Sequence, residues 1–201
     1  MDGALAAIAD GGVADVAVEP LAARLGATKG SFYWHFANRD DLLNAALAEW
    51  EERHTIAVTT EVARSPGGAM DQFRLLIRRV IDVAEGDRIG LALLATADHP
   101  AVAPVLARVT DHRVSFIAAL FSELGFSPAE SWRRALLAYC AYLGHAQLAH
   151  ATPGFLPRAP EDTDAYIEHV LRVLTAARRR IRRPLTAAPL RRVPRALTAA
   201  P

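Results

Sequence analysis

The stretch of sequence that decides the fold lies at residues 18–43 and reads VEPLAARLGATKGSFYWHFANRDDLL. Its first half predicts a short helix over residues 18–25 that ends at Gly26, and its second half predicts another over residues 28–36. Two short helices that cross at a steep angle need a small residue at the crossing and a turn residue free to adopt positive φ. Ala22 and Gly26 meet these needs at a suitable separation. The stretch therefore predicts a helix-turn-helix motif.

The second helix of this motif is predicted to have one apolar face and one outward face. Phe32 and Phe36 are four residues apart, so both are expected to face the core. Four adjacent bulky residues cannot share one side of a helix, so Tyr33 and Trp34 are expected to face outward. The outward face and its edges then carry hydroxyl, ammonium, imidazole and aromatic groups: Thr28, Lys29, Ser31, Tyr33, Trp34 and His35. Such groups suit phosphates and thymine methyl groups, so this face is predicted to enter the major groove of double-stranded DNA.

Another helix is predicted to begin directly after the motif. Asn38 can accept a hydrogen bond from a free amide of the first turn, and Asp40 and Asp41 favour the positive end of the helix. Apolar residues then recur at helical spacing and predict a buried stripe made of Leu42, Leu43, Ala46, Leu47 and Trp50.

The rest of the chain shows the apolar spacing of helices and almost none of the alternation typical of strands. Breaks are predicted at residues 65–68, at His99-Pro100, near Gly125 and at Pro153-Gly154. We expect an all-α chain in three parts. Residues 1–47 form a three-helix helix-turn-helix DNA-binding domain, residues 48–183 a larger helical effector-binding and dimerisation domain, and residues 184–201 a disordered tail of Arg, Pro and Ala.

The Lys-Gly-Ser-Phe-Tyr-Trp-His-Phe run at residues 29–36, followed by Asn-Arg-Asp-Asp-Leu-Leu at residues 38–43, resembles the TetR family of bacterial regulators. In such regulators the tyrosine and histidine of this run contact the DNA backbone or a thymine methyl group. The resemblance assigns those roles to Tyr33 and His35, and it gives Trp34 a place at or beside a base.

The resemblance also implies that Arg39 grips a phosphate and that Thr28 and Lys29 open the recognition helix, whose positive end attracts phosphate. Family members usually carry a basic arm before the first helix, whereas Met1 is expected to fall inside that helix here. The implied function is that of a homodimeric regulator whose larger domain binds a small molecule. The expected mode is repression, with the ligand releasing the protein from a near-palindromic operator.

The effector is expected to be small and largely apolar or aromatic, because the second domain is rich in apolar residues. The candidate ligand-binding residues are Phe116, Leu120, Tyr139, Tyr142 and His145. Leu136 is expected to face the same interior. Dimerisation is expected along residues 128–151 and 161–177, which carry the longest late apolar stripes.

The charge distribution leaves an alternative open. Acidic residues outnumber basic ones within residues 1–53, whereas a nucleic-acid binder is expected to show a basic footprint. The alternative is therefore a helical dimerising interaction protein with a weakened DNA-binding head. Against it, Glu49, Glu51 and Glu52 lie beyond the expected DNA face. The arginine-rich tail either binds DNA non-specifically or has no role.

Catalysis is not expected, because the chain has no Gly-rich phosphate loop, no Gly-x-Ser-x-Gly elbow and no metal-ligand spacing. The seven histidines are scattered, so neither a metal site nor a cofactor is predicted. Cys140, the only cysteine, lies in an apolar helical stretch and is expected to be a small core residue. No signal peptide and no apolar run of membrane-spanning length is evident, which favours the cytoplasm.

Overall fold

The computed structural model of the protein describes residues 2–16 and 36–176, apart from the side chain of Glu85. These residues form helices joined by turns and contain no strand, which confirms the all-α expectation. The described helices are α1 (Asp2–Gly11), α2 (Arg39–Glu51), α3 (Ala57–Arg64), α4 (Ala69–Gly86), α5 (Arg88–Ala95), α6 (Val102–Glu123), α7 (Pro128–Ala151) and α8 (Pro160–Thr175). Most of the helix-turn-helix stretch and the arginine-rich tail lie outside the described residues.

The start of α2 follows the predicted capping pattern. Asn38 has extended backbone geometry, and its side-chain oxygen accepts a hydrogen bond of 2.9 Å from the Asp41 amide. This bond satisfies one of the amides that a helix leaves free in its first turn. The predicted apolar stripe of α2 is buried along its whole length, from Leu42 to Trp50. Both predictions for this helix are confirmed.

Helices α2 and α3 are joined by a π-helical turn, Glu52–Ile56, without a break in the helical path. One helical rod therefore runs from Arg39 to Arg64, passing through the boundary predicted after residue 47. A π-turn inserts an extra residue into a helix and often occurs at functional positions. That boundary stays a prediction, but the rod links the two parts of the chain directly.

A first apolar core joins the N-terminal part to the body of the protein. Leu5 and Ile8 of α1 pack with the buried stripe of α2, and the same cluster includes Leu93 of α5 and Val105 of α6. Phe36, the last residue of the predicted recognition helix, packs against this cluster. The N-terminal helices thus rest on α5 and α6.

A second apolar core lies among α3, α4, α6, α7 and α8. At its centre Phe121 is fully buried and meets Phe73 in an edge-to-face contact, with ring centroids 4.9 Å apart. The predicted breaks around this core are confirmed. Helix α5 ends at Ala95 before the His-Pro pair, and Gly125 adopts a φ of 90° directly after α6.

Ion pairs fasten α8 to α4 across the outside of the second core. Arg74 donates to Glu168 at 2.7 Å, and Arg78 donates to Asp164 at 2.7 Å. Exposed pairs of this kind contribute about 0–1 kcal/mol each to the free energy of folding, so most of the stability of this contact comes from the apolar core beneath them. None of the described helices combines the length and apolar character needed to cross a membrane.

Candidate functional site

The second core encloses a large apolar cavity. Its volume is about 100 Å³, counted as the space open to the centre of a water-sized probe, and part of it opens to solvent. Leu76, Ile77 and Val80 of α4 form one wall, and Val170 and Leu174 of α8 form part of another. A lining that is mostly apolar, with a few polar groups, is typical of pockets in which proteins hold small apolar ligands.

Four of the five ligand-binding residues predicted from the sequence line this cavity: Phe116, Tyr139, Tyr142 and His145. The fifth, Leu120, is buried in the same core but does not line the cavity. Leu136, which was expected inside, is instead 46% exposed, so that expectation is wrong. The reason is that α7 has two apolar faces, of which Ala135 and Tyr139 occupy the inner one.

The cavity has a polar end, built by the π-turn, α6 and α7. Arg113 of α6 donates from Nε to the Thr55 hydroxyl at 3.0 Å and from Nη2 to the His54 carbonyl at 2.9 Å. Its guanidinium carbon lies 5.6 Å from the centroid of the Trp50 ring and 5.7 Å from that of the Tyr142 ring. Sequence reasoning did not select Arg113, because all of these partners are distant in the chain.

Burial shifts the pKa values of two side chains at the polar end of the cavity. Burial lowers the pKa of His54, while the nearby Asp87 carboxylate opposes the shift. Burial likewise raises the pKa of Tyr142, against the effect of the Arg113 cation. Both shifts favour the neutral forms of these two groups near neutral pH.

The residues predicted to contact DNA lie mostly outside the described residues: Thr28, Lys29, Ser31, Tyr33, Trp34 and His35. Arg39, which is predicted to bind a phosphate, is among the described residues, and its side chain donates hydrogen bonds to two backbone carbonyls. Its Nε donates to the Val16 carbonyl at 2.6 Å, and its Nη2 donates to the Val13 carbonyl at 2.7 Å. Arg39 thus ties the start of α2 to the segment that follows α1.

We expect Arg39→Ala to lower the free energy of unfolding by about 1–3 kcal/mol, because it removes two charge-assisted hydrogen bonds to backbone carbonyls. Urea unfolding followed by circular dichroism measures this change. Arg64→Ala, which removes an exposed arginine at the end of α3, is the matched control and should leave the midpoint nearly unchanged. An Arg39→Ala midpoint equal to that of the control would show that the Arg39 hydrogen bonds to the backbone do not stabilise the fold.

The outer face of α7 is apolar and exposed. Trp132, Leu137 and Leu148 are 48%, 58% and 41% exposed, and Cys140 lies on the same face. The expectation that Cys140 is a core residue is therefore wrong. Val173 of α8 is 55% exposed as well. Contiguous exposed apolar residues of this size mark an interaction surface.

Among the described residues, no group of three or more His, Cys, Asp or Glu could hold a metal ion.

The fold is shared with solved transcriptional regulators. A transcriptional regulator from Rhodococcus sp. Rha1 has a TM-score of 0.67 at 20% identity, over 87% of this chain and 90% of that one. A Rhodococcus protein assigned to the TetR-family transcriptional regulators has a TM-score of 0.66 at 23% identity, over 87% and 95%. The regulator FadR from Bacillus subtilis, solved in complex with stearoyl-CoA, has a TM-score of 0.61 at 15% identity, over 87% and 95%. Among curated proteins, no sequence matches this chain.

The all-helical fold of the described residues is thus one that solved transcriptional regulators also adopt. Residues 1–46 match the family described as bacterial regulatory proteins, tetR family. This match, over the segment in which the sequence predicts a helix-turn-helix motif, supports DNA-binding transcriptional regulation as the function.

Proposed function

We propose that the protein is a homodimeric repressor in the cytoplasm, and that a small, largely apolar ligand in the cavity releases it from operator DNA. The observation that carries this proposal is the link between the cavity and the N-terminal part. The rod that begins at Arg39 contributes His54 and Thr55 to the polar end of the cavity. A ligand there would touch the same rod that positions the DNA-binding part.

DNA binding is assigned to the outward face of residues 28–36, with Tyr33, Trp34 and His35 at its centre. Its support is the family match over residues 1–46, together with the position of Arg39. By holding the Val13 and Val16 carbonyls, Arg39 fixes the two sides of the predicted motif relative to each other. Its guanidinium remains partly exposed, so it can also meet a phosphate.

Dimerisation is assigned to the outer faces of α7 and α8. Small residues interrupt the large apolar ones on α7, since Cys140, Ala141 and Gly144 are all exposed between Leu137 and Leu148. Small residues allow two helices to approach closely, and a two-fold axis would pair each face with its own copy. The arrangement would be a four-helix contact that covers this apolar surface.

An apolar ligand is supported by the walls of the cavity, where aliphatic side chains of α4 and α8 predominate. The Bacillus subtilis regulator with the same fold was solved with stearoyl-CoA, a molecule with a long apolar chain. The acyl chain of such a molecule is the kind of group that these walls would accept.

Release is assigned to the contact between Arg113 and the π-turn. A ligand at the polar end would compete for the donors that now hold the His54 carbonyl and the Thr55 hydroxyl. A shift of the rod would change the spacing of the two recognition helices in the dimer. Because binding is reciprocal, a ligand that weakens DNA binding must bind less tightly to the DNA complex.

The test of this function is a gel shift with the full chain on the intergenic DNA upstream of its own gene, with and without candidate ligands. A discrete retarded complex that disappears with an apolar ligand supports the repressor. A protein that remains dimeric but retards no fragment would instead favour the alternative, a dimerising interaction protein with a weakened DNA-binding head.

We expect Tyr33→Ala to weaken operator binding by roughly 1–3 kcal/mol, the range for loss of one specific contact. Fluorescence anisotropy with labelled operator measures the loss. Tyr33→Phe keeps the ring and removes only the hydroxyl, so it separates a contact to a thymine methyl group from a contact to a phosphate. If both variants bind like the parent while their thermal unfolding is unchanged, the assigned face is wrong.

A further inference from the structure

Arg113 is the only Lys, Arg, Asp or Glu among the described residues that line the large cavity. The other polar lining groups are hydroxyls and imidazoles, including Thr59, Tyr139 and Tyr166. The cavity therefore combines apolar walls with a single permanent cation.

The partners of this cation are neutral. Two of its hydrogen bonds go to a hydroxyl and a carbonyl, and two aromatic rings lie beside it, of which Tyr142 also interacts with it through its hydroxyl. These bonds use two of the five N–H groups of the guanidinium. No carboxylate of the described residues lies within 4.0 Å of it. The acidic residue of this neighbourhood, Asp87, caps α5 through the Gly90 amide and lines a smaller void that Arg113 also borders, but it forms no ion pair with Arg113.

Several other arginines of the same helical body form ion pairs with carboxylates. Arg108 lies on α6 as well and is 57% exposed, yet it pairs with Glu51 at 2.6 Å. Arg74, Arg78 and Arg79 on α4 each pair with a carboxylate too. A cation withdrawn from water needs such a partner more than an exposed one does, because burial of an unpaired charge is costly. Among the described arginines that are not exposed, Arg113 is the one that has none.

We propose that the missing partner is the ligand, and that the cavity takes an amphiphile with an apolar body and one carboxylate bound to Arg113. The inference rests on the proposed effector cavity and names its ligand class. The planar guanidinium suits a carboxylate, with which it can form two parallel hydrogen bonds. One guanidinium balances one negative charge, so a monocarboxylate fits better than a phosphate monoester. The apolar body would lie along the walls formed by α4 and α8.

The rival explanation is that Arg113 is only a strut that joins α6 to the π-turn. A strut predicts that ligand affinity does not depend on the charge of the ligand head group. Isothermal titration of the full chain with matched probes separates the two explanations: octanoate, decanoate, dodecanoate and 4-phenylbutyrate, their corresponding alcohols, and decyl phosphate.

We expect at least one carboxylate to bind roughly tenfold or more tightly than its alcohol, and decyl phosphate to bind less tightly than decanoate. Arg113→Gln should weaken carboxylate binding by roughly 10- to 100-fold and leave alcohol binding nearly unchanged. Arg113→Lys should keep part of the preference, because it retains the charge but loses the planar fork. Arg108→Gln removes the same charge from the same helix outside the cavity and should bind every probe like the parent.

Equal affinity for acid and alcohol, an Arg113→Gln variant with unchanged carboxylate affinity, or no binding of any carboxylate would overturn the inference. The comparison of acid with alcohol uses the unaltered protein, so it decides even where Arg113→Gln fails to fold. Alcohols that bind and release operator DNA would leave the repressor standing while this inference fails. Carboxylates that bind through Arg113 without any effect on DNA binding would support this inference and contradict the proposed release of the repressor by its ligand.

Discussion

Leu137→Asp is expected to convert the proposed dimer to a monomer and to lower operator affinity by roughly 100-fold or more. Leu137 is 58% exposed in the single chain and lies at the centre of the apolar face of α7. In a symmetric interface the substitution appears twice, so two carboxylates would be buried near each other without partners. A monomer can occupy only one half-site, which removes most of the affinity for a two-fold operator.

Sedimentation velocity measures the oligomeric state, and fluorescence anisotropy measures the operator affinity of the same sample. Ala119→Asp is the matched control, because it places the same charge on an exposed position of α6, outside the proposed dimer helices. A Leu137→Asp protein that remains dimeric at micromolar concentration would show that the dimer is built from another surface.

Ala138→Trp is expected to abolish the ligand response while operator binding persists. Ala138 is the next residue of α7, but it lines the cavity on the inner face. An indole there would fill space that the ligand needs, and we expect ligand affinity to fall by roughly 100-fold. The phenotype is a repressor that stays on its operator in the presence of ligand.

Titration calorimetry and a ligand-release gel shift measure this effect. Ala138→Ser keeps the side chain small and should respond to ligand like the parent, so it separates blockage from a general effect of substitution. Overfilled cores lose about 1–3 kcal/mol of stability, which thermal unfolding would reveal. If Ala138→Trp folds and still releases DNA with the parent's ligand dependence, the cavity is not the effector site.

The local parts of the fold could be predicted from the sequence because their causes are local. The cap at Asn38 depends on a side chain and an amide three residues apart, and the break at His99-Pro100 depends on proline itself. The π-turn at residues 52–56 could not be predicted in this way. Its sequence, Glu-Arg-His-Thr-Ile, contains no glycine or proline to mark a departure from the α-helix.

The two faces of α7 show a second limit. Apolar residues recur on both sides of this helix, so spacing alone cannot tell that Tyr139 faces inward while Leu136 and Cys140 face outward. Only packing against α6 and α4 decides which face is covered within the chain. The exposed apolar residues of the outer face would be covered in the proposed dimer.

Arg113 illustrates the part of the site that sequence reasoning missed. Its hydrogen-bond partners are 58 and 59 residues away in the chain, so no local pattern announces them. A signal was nevertheless present, because Arg113 is followed closely by the apolar residues Val114, Phe116 and Ile117, which belong to the second core or pack against it. A single cation beside an apolar stripe deserves the same scrutiny as a histidine or a cysteine.

The most direct test of the central claim is selection of binding sites from a random pool of duplex DNA by the full chain, followed by sequencing. We predict enrichment of a near-palindromic site whose half-sites are centred about one helical turn, or a multiple of it, apart. The enriched duplex should bind two chains and be released when the cavity is occupied. A pool that remains random after several rounds, with only salt-sensitive binding that is indifferent to sequence, would contradict the claim that this protein is an operator-binding regulator.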